Sequence, residues 1–166
     1  MRRLLNYPGI IFLFIIFCVS TGEADSFITK GKRVKLDYTL RVNGEVLDTT
    51  LGKSPLEFVQ GDGTIIPGLT KQLEGLRRGD TKKIIVEPPE AYGLIDPKAF
   101  LEAPVTILPK GTKAQRGLMV TVEGEKGRKY NAVIWDIQGD NILLNFNHPL
   151  AGQKLQFDIK VLEVKG

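Results

Sequence analysis

The chain has 166 residues, of which 42% are hydrophobic and 25% charged, enough apolar material for one sizeable core or two small ones and too much for disorder to be the default. Its formal net charge is +4 and the basic residues are scattered, so electrostatics gives no basis for nucleic-acid binding.

The N-terminus is read first. Arg2 and Arg3 precede the apolar run "GIIFLFIIFCV", after which "STGEADS" turns small and polar, the grammar of a secretory signal peptide over residues 1–24. The run is shorter than the about 20 apolar residues that a spanning helix needs, so an uncleaved membrane anchor is the weaker reading. Cleavage after Ala24 or Ser20 is expected, and cutting after Ala24 leaves 21 basic against 18 acidic residues. The reading is therefore an exported, periplasmic protein. Cys18, the only cysteine, lies inside the apolar run, so the mature chain is expected to carry no disulfide and no thiol nucleophile. Lipidation of Cys18 is the alternative, which the bulky Phe17 before it disfavours.

Along the mature chain, Val34, Leu36, Tyr38, Leu40 and Val42 alternate with Lys35, Asp37, Thr39 and Arg41, as in a half-buried strand. Asn43-Gly44 then accepts positive φ and "EVLD" resumes the extended pattern, which predicts a β-hairpin. "PLEFV" predicts a further short strand. In "TIIPGLTKQLEGLRRGD", Ile66, Leu69, Leu73 and Leu76 recur at three- and four-residue spacing, with Pro67 near the start and Gly79 past the end: a short amphipathic helix. A strand is expected from about Lys82 to Val86, ended by Pro88 and Pro89.

Between about Leu101 and Asn145 the texture changes to three short extended runs separated by "EGEKGR" and "QGDN", a compact β module with Val120, Val122, Val133, Trp135, Ile142 and Leu144 as its candidate core. Alternation then returns in "KLQFDIKVLEV", with Leu155, Phe157, Ile159 and Val161 on one face. The fold class is α+β: a small antiparallel sheet with one helix across it, whose last strand is separated from the others by an inserted all-β module.

The chemistry of the residues excludes several activities. With one histidine, no mature cysteine and no G-x-S-x-G, nothing points to a hydrolase, although a Ser or Thr nucleophile paired with Lys stays formally open, and His148 has no evident companions at ligand spacing for a metal. No cofactor is expected. His148 reads as a loop residue bonded to backbone in preference to a catalytic imidazole. Ile66, where a helix begins, and Tyr92, on a turn between two prolines and Gly93, are the residues best placed to offer hydrogen bonds to a guest.

"KLDYTL", "GEVLDTT", "PLEFVQGDGTIIPGL", "GLRRGD", "PEAYG" and "LQFDIKV" resemble the successive motifs of the FKBP-type peptidyl-prolyl cis/trans isomerases. "NHPLAGQ" and the module before it are similar to the SlyD-like branch, in which a second domain is inserted in the flap. The resemblance runs from about Gly31 to Val164. It implies a discontinuous isomerase domain over residues 25–98 and 147–166, an insert-in-flap module over 99–146, and for His148 a place in the re-entry loop between them.

Carried over motif by motif, the resemblance implies that Tyr38, Asp48, Ile66, Tyr92 and Phe157 act on the substrate, while Leu47, Leu56, Phe58, Ile65 and Leu69 wall the prolyl pocket. Leu69 would be the floor, and the Ile66 N–H and Tyr92 hydroxyl would hold substrate carbonyls. Asp48 would be a polar group at the rim or, equally, a cap for its own "DTT" turn. Leu47, Leu56 and Leu69 stand where bulky aromatics are common in the eukaryotic family, which argues against tight macrolide inhibition. The sequence ends at "EVKG" in place of a histidine-rich tail, so nickel handling is not implied.

The implied activity is acceleration of X-Pro isomerisation in folding proteins, with chaperone-like binding by the module. Val105, Ile107, Leu108, Leu118 and Val120 are candidates for its client surface, or equally for its core. The alternative is a holdase or envelope binding module with little turnover. Expected partners are unfolded chains containing X-Pro bonds, acting on a monomer, with membrane contact only if Cys18 is lipidated or the signal retained.

Overall fold

A computed structural model describes residues 26–166. The expected signal peptide and Cys18 lie outside the described residues. Among those described, no helix is long and apolar enough to cross a membrane.

Strands β1 (Arg33–Val42) and β2 (Glu45–Thr49) form the expected hairpin, with Asn43 and Gly44 at φ 51° and 87°. Two consecutive positive φ values make the type I′ turn whose twist matches the flanking strands. The first half of β1 pairs antiparallel with β3 (Leu56–Val59), so β2 and β3 share one edge of a long strand. On the other edge runs β9 (Leu155–Lys165), which also pairs with β4 (Thr81–Val86). The result is a five-stranded antiparallel sheet in the order β2-β1-β9-β4, with β3 beside β1.

Helix α1 (Pro67–Leu73) lies across this sheet and buries Gly68, Leu69 and Leu73. It ends sooner than its apolar spacing suggests, because Gly75 takes φ 80° and donates its N–H to the Ile28 carbonyl at 2.9 Å. Leu76 therefore joins the core from a loop. Gly68 is required where it stands: a Cβ there would lie 2.4 Å from Val86 Cγ1 and 3.2 Å from the Glu90 carbonyl oxygen. The helix can approach β4 closely only because that side chain is missing. The core beneath holds Ile28, Leu36, Leu73, Ile84, Leu155 and Val161, all essentially inaccessible to solvent.

Between β4 and β9 in sequence stands a second antiparallel sheet, β5-β8-β7-β6, made of β5 (Phe100–Pro104), β6 (Met119–Glu123), β7 (Lys129–Gln138) and β8 (Asn141–Asn145). Four strands stand where the sequence suggested three, because β5 is only five residues long and ends on a proline that hides its pattern. Its own core comprises Ala103, Leu108, Val120, Val122, Ala132, Ile134, Ile142 and Leu144.

Two expectations for this sheet are corrected. Trp135 is 56% exposed and Val133 only half-buried, whereas Ala132 and Ile134 point inward. The register explains it: Ala132 stands opposite the buried Val120, and β7 bulges between Ile134 and Asp136. Successive residues of a strand face opposite ways, so a one-residue error in parity exchanges the faces. Of the candidate client surface, Leu108 and Val120 are buried in the core, Val105 and Leu118 pack against it, and Ile107 alone is exposed. The exposed apolar side chains of this sheet are instead Leu101, Met119, Tyr130 and Trp135.

Candidate active site

Between the five-stranded sheet and the start of α1 lies an open cleft of about 280 Å³. Its floor and walls come from alternate residues of β1 (Leu36, Tyr38, Leu40) and β9 (Phe157, Ile159), which the pleat of the sheet turns to one side. α1 closes one end with Ile66, Leu69 and Leu73. Leu56 and Phe58 enter from β3, Thr64 and Ile65 from the loop before the helix, and Tyr92 from the turn that follows the Pro88–Glu90 helical turn.

Every candidate residue lines this cleft except Leu47, which is 54% exposed and absent from its lining. Asp48 stands opposite the cleft-facing Leu40, whereas Leu47 is left unpaired where the ladder bulges between Asp48 and Val46. Sequence reasoning missed Leu36, Leu40, Leu73, Ile159 and Thr64. The first four were recoverable, since Leu36 and Leu40 flank Tyr38 at two-residue spacing, Ile159 does so for Phe157, and Leu73 lies one helical turn beyond Leu69.

The polar side of the cleft is built around one pair. The Tyr38 hydroxyl donates to Asp48 Oδ2, while Asp48 Oδ1 accepts from the Thr49 N–H at 2.8 Å and faces Lys53 Nζ at 3.4 Å. The carboxylate thus faces the cleft and caps its own turn at once. Partial burial, together with that bond, pushes the Tyr38 phenol up to about 12, and the same bond is the main reason the Asp48 carboxyl is held below its ordinary range. At neutral pH the cleft therefore holds a neutral phenol and an ionised carboxylate. The Tyr38 ring also meets Phe157 at a centroid distance of 6.2 Å and 59°.

Ile66 is the N-cap of α1 at φ −59° and ψ 146°, followed by Pro67 at the first helical position. Its carbonyl accepts from the Leu69 and Thr70 amides, both at 3.1 Å, which anchors the cleft end of the helix. His148 is a loop residue whose Nδ1 accepts from the Leu150 N–H at 3.1 Å, and its ring stacks on Tyr92. Among the described residues no group of three or more His, Cys, Asp or Glu side chains is arranged to hold a metal ion.

An antiparallel sheet wrapped on one short helix, with an apolar cleft opening at the helix start, defines the class: an FKBP-like α+β fold. Residues 24–162 match the family model described as FKBP-type peptidyl-prolyl cis-trans isomerase. Among similar proteins, the short-type peptidyl-prolyl cis-trans isomerase of Methanocaldococcus jannaschii is 31% identical over 155 residues, covering 84% of this chain and 96% of that protein. The FKBP-type isomerase SlyD of Helicobacter pylori is 34% identical over 129 residues, 76% of this chain and 69% of its own. The FKBP-type 16 kDa isomerase of Escherichia coli K12 is 31% identical over 139 residues, covering 82% and 93%. The chain belongs to the FKBP-type peptidyl-prolyl cis-trans isomerases.

Proposed function

We propose that the cleft is the isomerase site, that Tyr38, Asp48, Ile66, Tyr92 and Phe157 act on the substrate there, and that the second sheet holds unfolded client chains beside it. The observation that carries this reading is the convergence of those five residues, each from a different element of the chain, on one apolar cleft of about 280 Å³.

Rotation about a peptide bond faces a barrier of about 18–20 kcal/mol because it breaks amide resonance, and X-Pro bonds isomerise in tens to hundreds of seconds. No covalent bond is made or broken, so the site needs no nucleophile. In the twisted state the amide loses charge separation and the prolyl nitrogen becomes more amine-like. An apolar, water-poor surround stabilises that state relative to the planar ground state, and each ~1.4 kcal/mol of such preference gives tenfold in rate. Leu56, Phe58, Ile65, Leu69 and Phe157 supply the surround. The Ile66 N–H and Tyr92 hydroxyl hold the carbonyls flanking the bond, so that rotation is confined to one end of the peptide. Asp48, fixed by Tyr38 and Thr49, presents negative charge at the polar side.

Client binding is supported by Leu101, Met119, Tyr130 and Trp135, large apolar side chains exposed on a small sheet that already has its own core. Holding a client there raises the effective concentration of its X-Pro bonds at the cleft. Export to the periplasm is supported by the N-terminal signal grammar, with cleavage after Ala24 or Ser20, or lipidation at Cys18, distinguished by mass spectrometry of the mature N-terminus.

The test of the division of labour replaces residues 99–146 by a short linker. Isomerisation of a short prolyl peptide is expected to stay within about threefold of the intact protein, while catalysis of proline-limited protein refolding falls by tenfold or more. Equal losses in the two assays would refute the assignment.

A further inference from the structure

The Tyr92 and His148 rings lie face to face, with centroids 3.9 Å apart and planes within 3°. They come from opposite sides of the second sheet in sequence: Tyr92 from the turn leading out of β4, His148 from the turn leading back into β9. Tyr92 is 39% exposed, and an exposed aromatic side chain without a fixed neighbour samples several rotamers.

The partner ring is itself held. His148 Nδ1 accepts the Leu150 N–H at 3.1 Å, and the His148 carbonyl accepts the Ala151 N–H at 2.8 Å, so ring and backbone belong to one turn. That turn is bonded to the segment after Tyr92 at three points. Gly152 N–H donates to the Gly93 carbonyl at 2.8 Å, Asp96 N–H to Asn147 Oδ1 at 2.8 Å, and Asn147 Nδ2 to the Asp96 carbonyl at 3.1 Å. The imidazole, though exposed, is thus held by its own turn, and that turn is fixed against the Tyr92 loop.

We infer that His148 is a positioning residue for the isomerase reaction, holding the Tyr92 ring over the cleft by stacking from a turn bolted to the Tyr92 loop. This rests on the reading that Tyr92 meets the substrate. His148 itself does not line the cleft. Its contribution is to keep the phenol where an incoming carbonyl finds it, which spares the ordering cost on binding.

The experiment measures peptide isomerisation for His148→Ala, His148→Phe, His148→Asn, Tyr92→Ala and the double variant Tyr92→Ala/His148→Ala, each checked for its melting temperature. An aromatic pair of this kind is expected to be worth roughly two- to tenfold in kcat/KM. His148→Ala and His148→Asn, which lose the ring, are expected to fall by that factor, whereas His148→Phe, which keeps it, stays near the unmodified protein. In the Tyr92→Ala background, His148→Ala is expected to change nothing further. The Tyr92 ring-proton NMR signals should also move downfield in His148→Ala and keep their upfield position in His148→Phe.

An undiminished His148→Ala effect in the Tyr92→Ala background would overturn the inference, since the histidine would then act elsewhere. So would an impaired Tyr92→Ala beside an unaffected His148→Ala, which leaves the role of Tyr92 standing and removes that of its neighbour. A Tyr92→Ala variant as active as the unmodified protein would overturn both.

Discussion

The Tyr38 hydroxyl donates its hydrogen to the Asp48 carboxylate across the β1–β2 hairpin, making one polar unit at the side of an otherwise apolar cleft. Partial burial, with this bond added, pushes the phenol up to about 12, while the bond is the main cause holding the carboxyl below its ordinary 3.8.

The pH dependence follows with opposite signs. The folded state holds the phenolic proton more tightly than the unfolded chain, so that contribution to stability is complete below about pH 10 and fades as pH rises toward 12. Asp48 behaves in reverse: its contribution is present above pH 3.8 and is lost as pH falls through its lowered folded value. In Tyr38→Phe the main cause of the Asp48 shift is gone, and its titration midpoint, read from the carboxyl carbon by NMR, is expected to rise. An unchanged midpoint would assign the shift to Thr49 and Lys53 instead.

Gly68 predicts a stability effect opposite to helix propensity. Inside a helix alanine is usually better than glycine by about 1 kcal/mol, yet at this second helical position its methyl would meet Val86 Cγ1 at 2.4 Å and the Glu90 carbonyl oxygen at 3.2 Å. Gly68→Ala is therefore expected to destabilise the protein by about 1–3 kcal/mol, through displacement of α1 from β4. Chemical denaturation reads it directly, and a gain in stability would mean that the helix has room to shift.

Much of this architecture is legible in the residues. The hairpin follows from alternation broken by Asn43-Gly44, the helix from the spacing of Ile66, Leu69 and Leu73, and the cleft-facing side of β9 from Phe157 and its neighbours. Parity was less legible. Leu47 and Asp48 are both compatible with a site, and only the pairing of Leu40 with Asp48 decides which of them turns toward Tyr38. The same holds for β7, where a bulge at Trp135 shifts the face that the largest hydrophobic residue occupies. Trp135, expected in the core with Val133, is turned outward by the ladder. The stack of His148 on Tyr92 has no local signature, since it depends on bringing together turns separated by an entire sheet.

The exposed tryptophan supplies its own test. Trp135 is the only tryptophan in the chain and stands against Phe100 at 5.7 Å and 80°, edge to face. Its emission is expected to shift to the blue when an unfolded, proline-free polypeptide is added, as client surface displaces water from the indole. Trp135→Ala is expected to weaken that binding several-fold and to leave isomerisation of a short prolyl peptide within about twofold of the unmodified protein. A spectrum indifferent to client would remove Trp135 from the binding surface.

The most direct test of the proposal that the cleft is the isomerase site is the slow phase of a proline-limited refolding reaction, followed at substoichiometric concentrations of the intact protein and of Phe157→Leu, which keeps the core apolar but removes the aromatic wall. The slow phase is expected to accelerate in proportion to intact protein and to lose most of that acceleration with the variant. A slow phase that runs no faster with intact protein, or equally fast with Phe157→Leu, would contradict the account.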